Sequence, residues 1–448
     1  MDGRRVSKRV ALLLVLVVAP SLAATSWIED YIAVGTRANT TCQSGPLEEC
    51  RTGLRRLAEL TDGRPDFSCR LARVEAKIGD ARAALEDLSL CIRAGLAFKD
   101  LATDPALANV RALRGFAAVR HEAERHAAPA AGFARHLALK DPGLIAEDVA
   151  YDAEQHAFLI SSVRQRKIVR LGADGAVEDF ITTAQAPMWG VYALAIDARR
   201  GLLWATTSAS AESPPFDPKD DGASAVLEFD LRTRTLLGRF ERLDGHKHGF
   251  GDVTLAPNGD LIVADGIEGG LYRIEPGTRS GLKTLLPPGA MRSPQTPAIL
   301  PGTDRVLIPD YTRGIAVMDF RRGGVEWLAH PAELALFGID GLYVDGRRLI
   351  AIQNGTTPER VLVMDLDASC TRIIGWRAVV AQVPGLGDPT HGTFVDGNFY
   401  FIANSGWDRV KEDGSLPADP GAQAAELWKL NPPATTATPA PSCPQAGG

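Results

Sequence analysis

A hairpin pattern recurs six times along the chain and limits the possible folds more than any other feature. The copy at 250–265 reads FGDVTLAPNGDLIVAD, in which two short apolar runs flank Pro-Asn-Gly. Asn-Gly between such runs favours a tight turn because both residues accept positive φ. The six copies occupy residues 147–161, 192–206, 252–265, 296–310, 340–353 and 391–404. Units of four short strands every ~40–50 residues are typical of a β-propeller, so the sequence predicts six blades.

The register of the repeat places polar residues at two equivalent positions in every copy. Near the start of the first strand lie Glu147, Tyr192, Asp252, Thr296, Asp340 and His391. At the end of the second strand lie Ser161, Thr206, Asp265, Asp310, Gln353 and Asn404. These two positions share one end of an antiparallel hairpin, so both sets are predicted to surround the mouth of the central channel. For the second set, an equally good explanation is that polar side chains satisfy turn amides.

Three of these residues, Glu147, Asp252 and Asp340, bring carboxylates to one small opening. Their like charges would repel one another, and a divalent cation removes the repulsion, so these three are the predicted metal ligands. Oxygen ligands favour calcium, then magnesium, whereas a nitrogen from His391 leaves manganese or zinc open. Asp252, Asp340 and His391 are the candidate catalytic residues, because each could act as a general base on a metal-activated water.

Further residues near the predicted mouth offer aromatic surface or hydrogen-bonding groups to a small-molecule substrate. The candidates are Trp189, Tyr192, His248, Gln295, Thr296, Gln353 and Asn404, and Tyr311 could add to an apolar wall with Trp189 and Tyr192. The loop at 211–223 is either a lid over the mouth or an ordinary surface loop. A Gly-x-Ser-x-Gly elbow is missing from the sequence, so a covalent serine nucleophile is not supported.

The first 24 residues are predicted to be a signal peptide. Basic residues between 4 and 9 precede an apolar run at 10–22 that is too short to span a membrane comfortably; an uncleaved anchor is the alternative. Six cysteines in an exported chain predict three disulfides. Two are expected among Cys42, Cys50, Cys69 and Cys91, and one between Cys370 and Cys443. We therefore expect a periplasmic or secreted protein that is not bound to a membrane after cleavage.

Residues 25–126 carry a helical pattern and are predicted to form a small all-α domain before a propeller at 127–430. Asp80 is the expected N-cap of one of its helices. The stretch 71–119 resembles the last units of tetratricopeptide repeat proteins, which implies a surface for a protein partner. The alternative is that the helices only pack against the propeller.

The two ends of the chain are predicted to meet in the last blade, which shows three clear strands. Residues 133–139 have strand character and are expected to supply the fourth, because an unclosed ring would leave open edges. Residues 120–132 are predicted to be a linker, and 431–448 a disordered tail. The net charge of −6 and the lack of a basic patch give no reason to expect a nucleic-acid partner.

The six-fold pattern resembles the gluconolactonase, senescence-marker and strictosidine-synthase-like group of six-bladed propellers, which includes the paraoxonases. The motifs that carry the resemblance are AEDVAYD (146–152), FGDVTLAPNGDLIVAD (250–265), IDGLYVDG (339–346) and HGTFVDGNFYFIANSG (391–406). The resemblance implies a divalent metal, usually calcium, at the channel mouth, with Glu147 and Asp340 matching family ligands. Asp252 stands where relatives often have Asn. Thr296 departs from the pattern, because an Asn ligand is expected there.

These observations together predict a mainly β protein, a six-bladed β-propeller preceded by a small helical domain. The expected function is an exported, metal-dependent hydrolase of lactones or esters acting at the channel mouth. The alternative is a non-catalytic propeller that binds a ligand or a protein, with the helical domain as the partner surface.

Overall fold

The computed structural model describes residues 26–279, 281–431 and 443 of the chain. The predicted signal peptide and most of the predicted tail lie outside the described residues. Within the described ranges, none of the helices has the length and apolar character needed to cross a membrane.

Helices occupy the first hundred described residues. They are α1 (Trp27–Ser44), α2 (Leu47–Leu60), α3 (Pro65–Ile78), α4 (Ala81–Arg93), α5 (Ala108–Arg111), which follows a 3₁₀ turn at Pro105–Leu107, and α6 (Phe116–Ala127). Asp80 caps α4 as predicted, since its Oδ1 accepts a hydrogen bond from the Ala83 amide at 3.2 Å. Gly79 ends α3 with a φ of 96°, a conformation that glycine adopts without strain.

Three disulfides confirm the prediction made from the cysteine count. Cys42 pairs with Cys50 across the α1–α2 connection, and Cys69 pairs with Cys91 between α3 and α4. The third bridge joins Cys370 to Cys443. Disulfides persist in oxidising compartments, so the three bridges indicate an extracellular type of environment.

The predicted linker at 120–132 is wrong over most of its length. α6 continues to Ala127, because Phe116 and Val119 bury their side chains against Leu88 and Ile92 of α4. Phe116 and Val119 precede the stretch, and within it Ala123 packs against the same cluster, so the stretch itself shows little apolar pattern.

Two short strands follow the helices, β1 (Ala130–Ala131) and β2 (Phe133–Ala138). The first blade contains β3 (Ala146–Asp152), β4 (Ala157–Ser162), β5 (Lys167–Gly172) and β6 (Val177–Ile181). The second contains β7 (Gly190–Asp197), β8 (Leu202–Ser208), β9 (Ser224–Asp230) and β10 (Leu236–Glu241). The third contains β11 (Phe250–Leu255), β12 (Leu261–Asp265), β13 (Gly270–Ile274) and β14 (Lys283–Leu286).

The remaining three blades repeat this order. The fourth contains β15 (Ala298–Ile299), β16 (Arg305–Asp310), β17 (Gly314–Asp319) and β18 (Glu326–Trp327). The fifth contains β19 (Ile339–Asp345), β20 (Arg348–Gln353), β21 (Arg360–Leu366) and β22 (Ile373–Ala381). The sixth contains β23 (Gly392–Val395), β24 (Asn398–Ala403) and β25 (Glu426–Leu430). The six-bladed propeller with a helical N-terminal region is therefore confirmed.

The ring closes with chain from both ends, as predicted. β2 pairs antiparallel with β25 and becomes the outer strand of the sixth blade, with Phe133 opposite Leu430. β1 adds a fifth strand to the fifth blade by pairing with β22, which the sequence did not predict. Both additions cover a strand edge that would otherwise be open to pairing with another chain.

The helical region packs on the fourth and fifth blades. Cys91 and Leu96 form one buried cluster with Ala335 and Phe337 of the propeller. The Ala97 amide also donates a hydrogen bond to the Thr357 carbonyl at 2.7 Å. Two roles were predicted for the helices, a surface for a protein partner and packing against the propeller. These contacts support the packing, and the protein partner remains a prediction.

Candidate functional site

The inner strands of four blades start with an irregular pairing register. The register shifts between Ala146 and Val149, between Val191 and Leu194, between Phe250 and Asp252, and between Ile339 and Gly341. A β-bulge re-aims the side chains beside it, and bulges concentrate at the rims of closed sheets. Glu147, Tyr192, Asp252 and Asp340 all lie at these irregularities, so the local backbone has a direct part in building the polar cluster.

Glu147, Asp340 and His391 come together at the channel. One possible ligand atom from each residue lies within 4.8 Å of those of the other two. Asp340 and His391 are buried, with exposed fractions of 8% and 2%. Two carboxylates and an imidazole at this spacing form a set that could hold a divalent cation. Glu147 and Asp340 belong to the ligand set predicted from the sequence, while His391 was predicted as catalytic.

Asp252, the third predicted ligand, is joined to this cluster through His391. His391 Nε2 lies 2.9 Å from Asp252 Oδ1, and Thr296 Oγ1 lies 2.6 Å from the same oxygen. His391 Nδ1 lies 3.0 Å from the Glu147 carbonyl oxygen, which can only accept, so Nδ1 carries a proton. The imidazole is therefore fixed between the first and third blades.

The carboxylates of the cluster have raised pKa values. Burial raises the pKa of Asp340 to about 6, and the nearby Asp252 charge adds to the rise. Burial and the charge of Asp340 raise the pKa of Glu147 well above its ordinary value. Burial alone would lower the pKa of His391, but the charges of Asp340 and Asp252 outweigh it and raise that pKa well above its ordinary value. The charged forms of Glu147 and Asp340 repel each other, and a bound proton or a divalent cation would relieve that repulsion.

Trp407 contacts the cluster and was missed in the sequence. Its indole Nε1–H donates a hydrogen bond to Glu147 Oε2. Trp407 begins a 3₁₀ turn in the long connection between β24 and β25, directly after Gly406 with a φ of 95°. This connection lies outside the hairpin repeat, so no register pointed to it.

Asn354 and Tyr311 extend the cluster on the side of the fourth and fifth blades; Tyr311 was predicted to lie near the mouth as part of an apolar wall, whereas Asn354 was not predicted. Asn354 Nδ2 donates to Asp340 Oδ2 at 2.9 Å, and the Tyr311 hydroxyl donates to Asn354 Oδ1 at 2.9 Å. The two bonds orient one oxygen of Asp340. The only sequence signal was position, since Asn354 and Tyr311 each follow the last residue of a returning strand.

The acidic side chain of Asp388 lies close enough to Asp340 to interact with its charge, and Glu359 lies next to Asp388. The Asp388 amide donates to Glu359 Oε2 at 2.8 Å. Burial, followed by the charges of Glu359 and Asp340, raises the pKa of Asp388 to about 7. The surroundings of the cluster are therefore acidic as well.

The central channel contains a cavity of about 400 Å³ beside the cluster. Asp148 and Thr296 line its inner end, and Pro257 and Pro301 line it near the hairpin turns. Asp148 accepts hydrogen bonds from the Val149 and Leu194 amides at 2.7 Å, which fixes its carboxylate between the first and second blades.

His248 is separate from the cluster and has its own partners. Its Nδ1 lies 2.6 Å from Asp265 Oδ2, and its Nε2 lies 2.9 Å from Asp244 Oδ1. Burial would lower the pKa of His248, but the bonds to Asp265 and Asp244 outweigh it and raise that pKa. The imidazolium thus ties the β10–β11 loop to the end of β12.

This link gives a pH prediction. Because the folded pKa is raised, the stability it contributes is complete below the unfolded histidine pKa of about 6.5 and is lost as pH rises through the folded pKa. His248→Gln cannot bond both carboxylates in this way, and we expect it to cost about 1–3 kcal/mol at pH 6. Thermal denaturation between pH 5.5 and 9 measures the effect. His121→Gln, at an exposed site, is the control; an unchanged pH slope in His248→Gln would contradict the assignment.

Three other predicted substrate-binding residues form hydrogen bonds within the protein. Gln353 is fully buried, and its Nε2 donates to the Ala335 and Phe337 carbonyls at 2.9 and 2.6 Å. Asn404 donates to the carbonyls of 423 and 424, both at 3.1 Å. Gln295 Nε2 donates to the Ser293 hydroxyl at 3.1 Å. The amide groups of these three side chains therefore donate hydrogen bonds to nearby backbone and loop groups.

Trp189 and Tyr192 lie by the loop that was considered as a lid. Trp189 Nε1 donates to Asp220 Oδ2 at 3.3 Å, and the Tyr192 hydroxyl is 2.9 Å from Ser210 Oγ. Arg164 Nη1 donates to the Gly414 carbonyl at 2.9 Å, and it is also 3.4 Å from the Glu212 carbonyl. Arg164 thereby joins the loop at 211–223 to the β24–β25 connection that carries Trp407.

Several residues of the second polar set satisfy backbone groups. Asp310 Oδ2 accepts from the Arg292 amide at 2.7 Å, and Asp265 Oδ1 accepts from the Gly249 amide at 3.0 Å. Ser161 Oγ accepts from the Asp148 amide at 2.8 Å. The turn-amide explanation accounts for these contacts.

Comparisons with known proteins give structural matches only. No family model matches the sequence, and no curated protein matches it. A calcium-binding regucalcin from Agrobacterium tumefaciens is 17% identical, with a TM-score of 0.47, covering 68% of this chain and 95% of that one. The gluconolactonase XC5397 from Xanthomonas campestris is 17% identical, with a TM-score of 0.43, covering 64% and 85%.

A dehydrogenase is matched about equally well. The PQQ-bound aldose sugar dehydrogenase from Streptomyces coelicolor is 13% identical, with a TM-score of 0.46, covering 67% of this chain and 99% of that one. At this level of similarity the matches do not distinguish a hydrolase from an oxidoreductase. The chain is similar in fold to these propellers, and its activity has to be argued from its own residues.

Proposed function

We propose that the protein is an exported, metal-dependent hydrolase of lactones or esters that acts at the mouth of the propeller channel. The observation that carries the proposal is the convergence of Glu147, Asp340 and His391 within 4.8 Å, with Asp252 bonded to His391. Calcium is the first choice of metal because most of the available donors are carboxylate oxygens, and the imidazole keeps magnesium, manganese and zinc as alternatives.

The donor set fits a divalent cation. Glu147 and Asp340 would hold it. Either His391 Nε2 or the Asp252 carboxylate would supply a third protein ligand, because these two groups lie 2.9 Å apart. When bound, such a metal would polarise a carbonyl and lower the pKa of a water. The hydrogen bonds from Asn354 and Trp407 would orient the two carboxylates.

The proton-transfer role is assigned to the His391–Asp252 pair. Nδ1 is held by the Glu147 carbonyl, so Nε2 is the nitrogen that can exchange a proton, and Asp252 Oδ1 holds it in place. A metal bound to Asp340 would offset the largest charge that raises the pKa of His391. A lower pKa favours the neutral imidazole, which is the form that serves as a general base.

A lactone and ester panel tests the proposed activity. Hydrolysis releases a carboxylic acid, so proton release is followed by pH-stat with the protein in calcium and in excess chelator. We expect turnover that chelator removes and that His391→Gln reduces by about 100-fold, in the range attributed to a general base. His246→Gln, an exposed histidine outside the cluster, is the control. Turnover that persists in both chelator and His391→Gln would contradict the proposal.

Trp407 provides a more specific prediction. Trp407→Phe keeps a ring and removes the N–H that orients Glu147, so we expect metal affinity to fall by about 10-fold, as for other groups that orient a ligand. Trp204→Phe is a matched control, because the buried Trp204 Nε1 has no hydrogen-bond partner among the described residues. Calorimetric titration with calcium compares the variants; equal affinity in Trp407→Phe and the parent protein would remove Trp407 from the site.

The second candidate function is non-catalytic ligand or protein binding. It is favoured by one observation: His391, Asp340 and Glu147 each have a hydrogen-bond partner within the protein. Metal binding without turnover on the panel would favour this candidate. A protein partner for the helical region stays part of this second proposal.

A further inference from the structure

The helical region contacts the two connections of the propeller that orient Asp340. One is the turn between β16 and β17 (311–313), which begins with Tyr311, and the other is the connection between β20 and β21 (354–359), which begins with Asn354. The Tyr311 hydroxyl donates to Asn354 Oδ1, and Asn354 Nδ2 donates to Asp340 Oδ2, each at 2.9 Å. A shift of either connection therefore moves the groups that orient one oxygen of Asp340.

Arg64, the residue directly before α3, makes the contact with the turn. Its Nη1 donates to the Thr312 carbonyl at 2.5 Å. Its Nε and Nη2 donate to the two oxygens of Asp66 at 2.8 and 2.6 Å. The guanidinium lies 4.7 Å from the ring centre of Phe67 and 4.4 Å from that of Phe337. The paired bonds to Asp66 and the two rings fix the guanidinium against the turn.

The turn is short and is held by the helical region at two of its three residues. It has only three residues because Asp310 pairs with Gly314. Arg313, the last of them, lies between the rings of Trp27 in α1 and Trp327, whose centres are 5.0 and 4.3 Å from the guanidinium carbon. The backbone has two soft dihedrals per residue, so a turn of this length has little freedom to absorb a displacement. A movement of the helical region is therefore passed to the first residue of the turn.

The second connection is tied to the helical region as well. The Ala97 amide donates to the Thr357 carbonyl at 2.7 Å. Arg360, the residue after this connection, donates from Nη1 to the Ala94 carbonyl at 2.8 Å. Both contacts come from the end of α4 and the loop that follows it. The helical region thus holds both connections that orient the Asp340 carboxylate.

We propose that Arg64 is a positioning residue for the metal site at the channel mouth. It holds Thr312, and through the turn it holds the Tyr311 hydroxyl that orients Asn354 and Asp340. This inference rests on the proposed function for the role of Asp340. Groups that orient a metal ligand contribute to metal affinity although they do not touch the metal. The helical region accordingly has a role beyond packing, because the way it sits on the propeller sets the geometry of one ligand.

Hydrogen exchange in excess chelator tests the contact without metal or turnover. Arg64→Met removes the donor to the Thr312 carbonyl. We expect the amides of Tyr311 and of Gly338, which donates to the Tyr311 carbonyl at 2.8 Å, to exchange about 5-fold faster. Arg73→Met is the matched control and should not change these amides. Arg73 also contacts a carboxylate, a carbonyl and an aromatic ring, and all three belong to the helical region.

Calorimetric titration of the full protein with calcium tests the effect on the site. We expect Arg64→Met to lower calcium affinity about 3- to 10-fold and Arg73→Met to leave it unchanged. In a Tyr311→Phe background, Arg64→Met should lower the affinity by less than about 2-fold, because the route to Asn354 is already cut. Arg64→Lys keeps the charge beside Asp66 and should change both measurements in the same direction, so it decides the question if Arg64→Met does not fold.

Three results would overturn the proposal: unchanged exchange at Tyr311 and Gly338, faster exchange with unchanged calcium affinity, or effects of Arg64→Met and Tyr311→Phe that simply add. A parent protein that binds none of calcium, magnesium, manganese and zinc would contradict the proposed function instead. The exchange result in chelator would then decide alone whether Arg64 positions the turn.

Discussion

Asp340→Asn is expected to stabilise the metal-free protein above pH 6 while it removes metal binding and hydrolysis. Asp340 is buried, and its pKa is raised from the usual 3.8 to about 6. A raised carboxyl pKa means that the charged form is disfavoured in the folded state, so stability falls as pH rises from about 4 to above 6. Asparagine has no charge to bury and keeps an acceptor for Asn354. We expect a gain of about 1–3 kcal/mol at pH 8.

The opposite effect is expected on function. Loss of a ligand carboxylate should lower metal affinity and kcat/KM by about 100-fold or more. Denaturant unfolding in chelator and titration with calcium measure the two effects separately. Asp345→Asn, an exposed residue at the far end of β19, is the control and should change neither. A variant that loses stability at pH 8, or that keeps its metal, would contradict the role given to Asp340.

Arg360→Met is expected to loosen the helical region from the fifth blade and to destabilise the protein. It removes the guanidinium that links β21 to Gln353 and to the C-terminal carbonyls of α4. Those acceptors would stay buried without a donor, and the cation that complements the C-terminal end of the helix would be lost. We expect a net loss of about 1–3 kcal/mol, because the acceptors left without a donor outweigh the relief from no longer burying a guanidinium whose pKa is lowered by burial.

Chemical denaturation and limited proteolysis report this loss. The helical region should become sensitive to protease at lower denaturant concentrations than in the parent protein, because its contact with the fifth blade is weakened. Arg372→Met, an exposed arginine near the start of β22, is the matched control. If Arg360→Met is as stable as Arg372→Met, the guanidinium does not hold the helical region in place.

The hairpin repeat was enough to predict the propeller and its closure. Six turns in register specify six inner strands, and the strand character of 133–139 identified β2 as the partner of β25. The predicted helical domain reached residue 126 and so covers nearly all of α6, but the last turns of α6 were also assigned to a linker because alanines and charged residues dominate them. β1 has only two residues, and nothing in the sequence distinguishes it from a loop.

The candidate site was only partly visible in the sequence. The repeat brings Glu147, Asp340 and His391 to equivalent positions, and the structure brings them together. The His391–Asp252 bond joins residues of the sixth and third blades, a pairing that no repeat register specifies. Trp407 lies in a connection outside the repeat, where periodicity carries no information, and Asn354 lies one residue beyond the register position of Gln353.

The environment of Gln353 could not be predicted from the sequence for a different reason. Its register position predicts the channel mouth, but the packing of α4 on the fifth blade buries it against Arg360. Which face of the propeller the helices cover depends on contacts between distant parts of the chain. A repeat pattern describes each blade alone. It therefore cannot show that one of its polar positions lies in the contact with the helical region.

The most direct test of the proposed function is the metal content of the purified protein. Elemental analysis follows dialysis against trace calcium, magnesium, manganese and zinc, for the parent protein and for Glu147→Gln. We predict about one equivalent of a divalent metal in the parent protein and its loss in Glu147→Gln. A parent protein without metal, or a variant that keeps it, would contradict the metal site at the channel mouth.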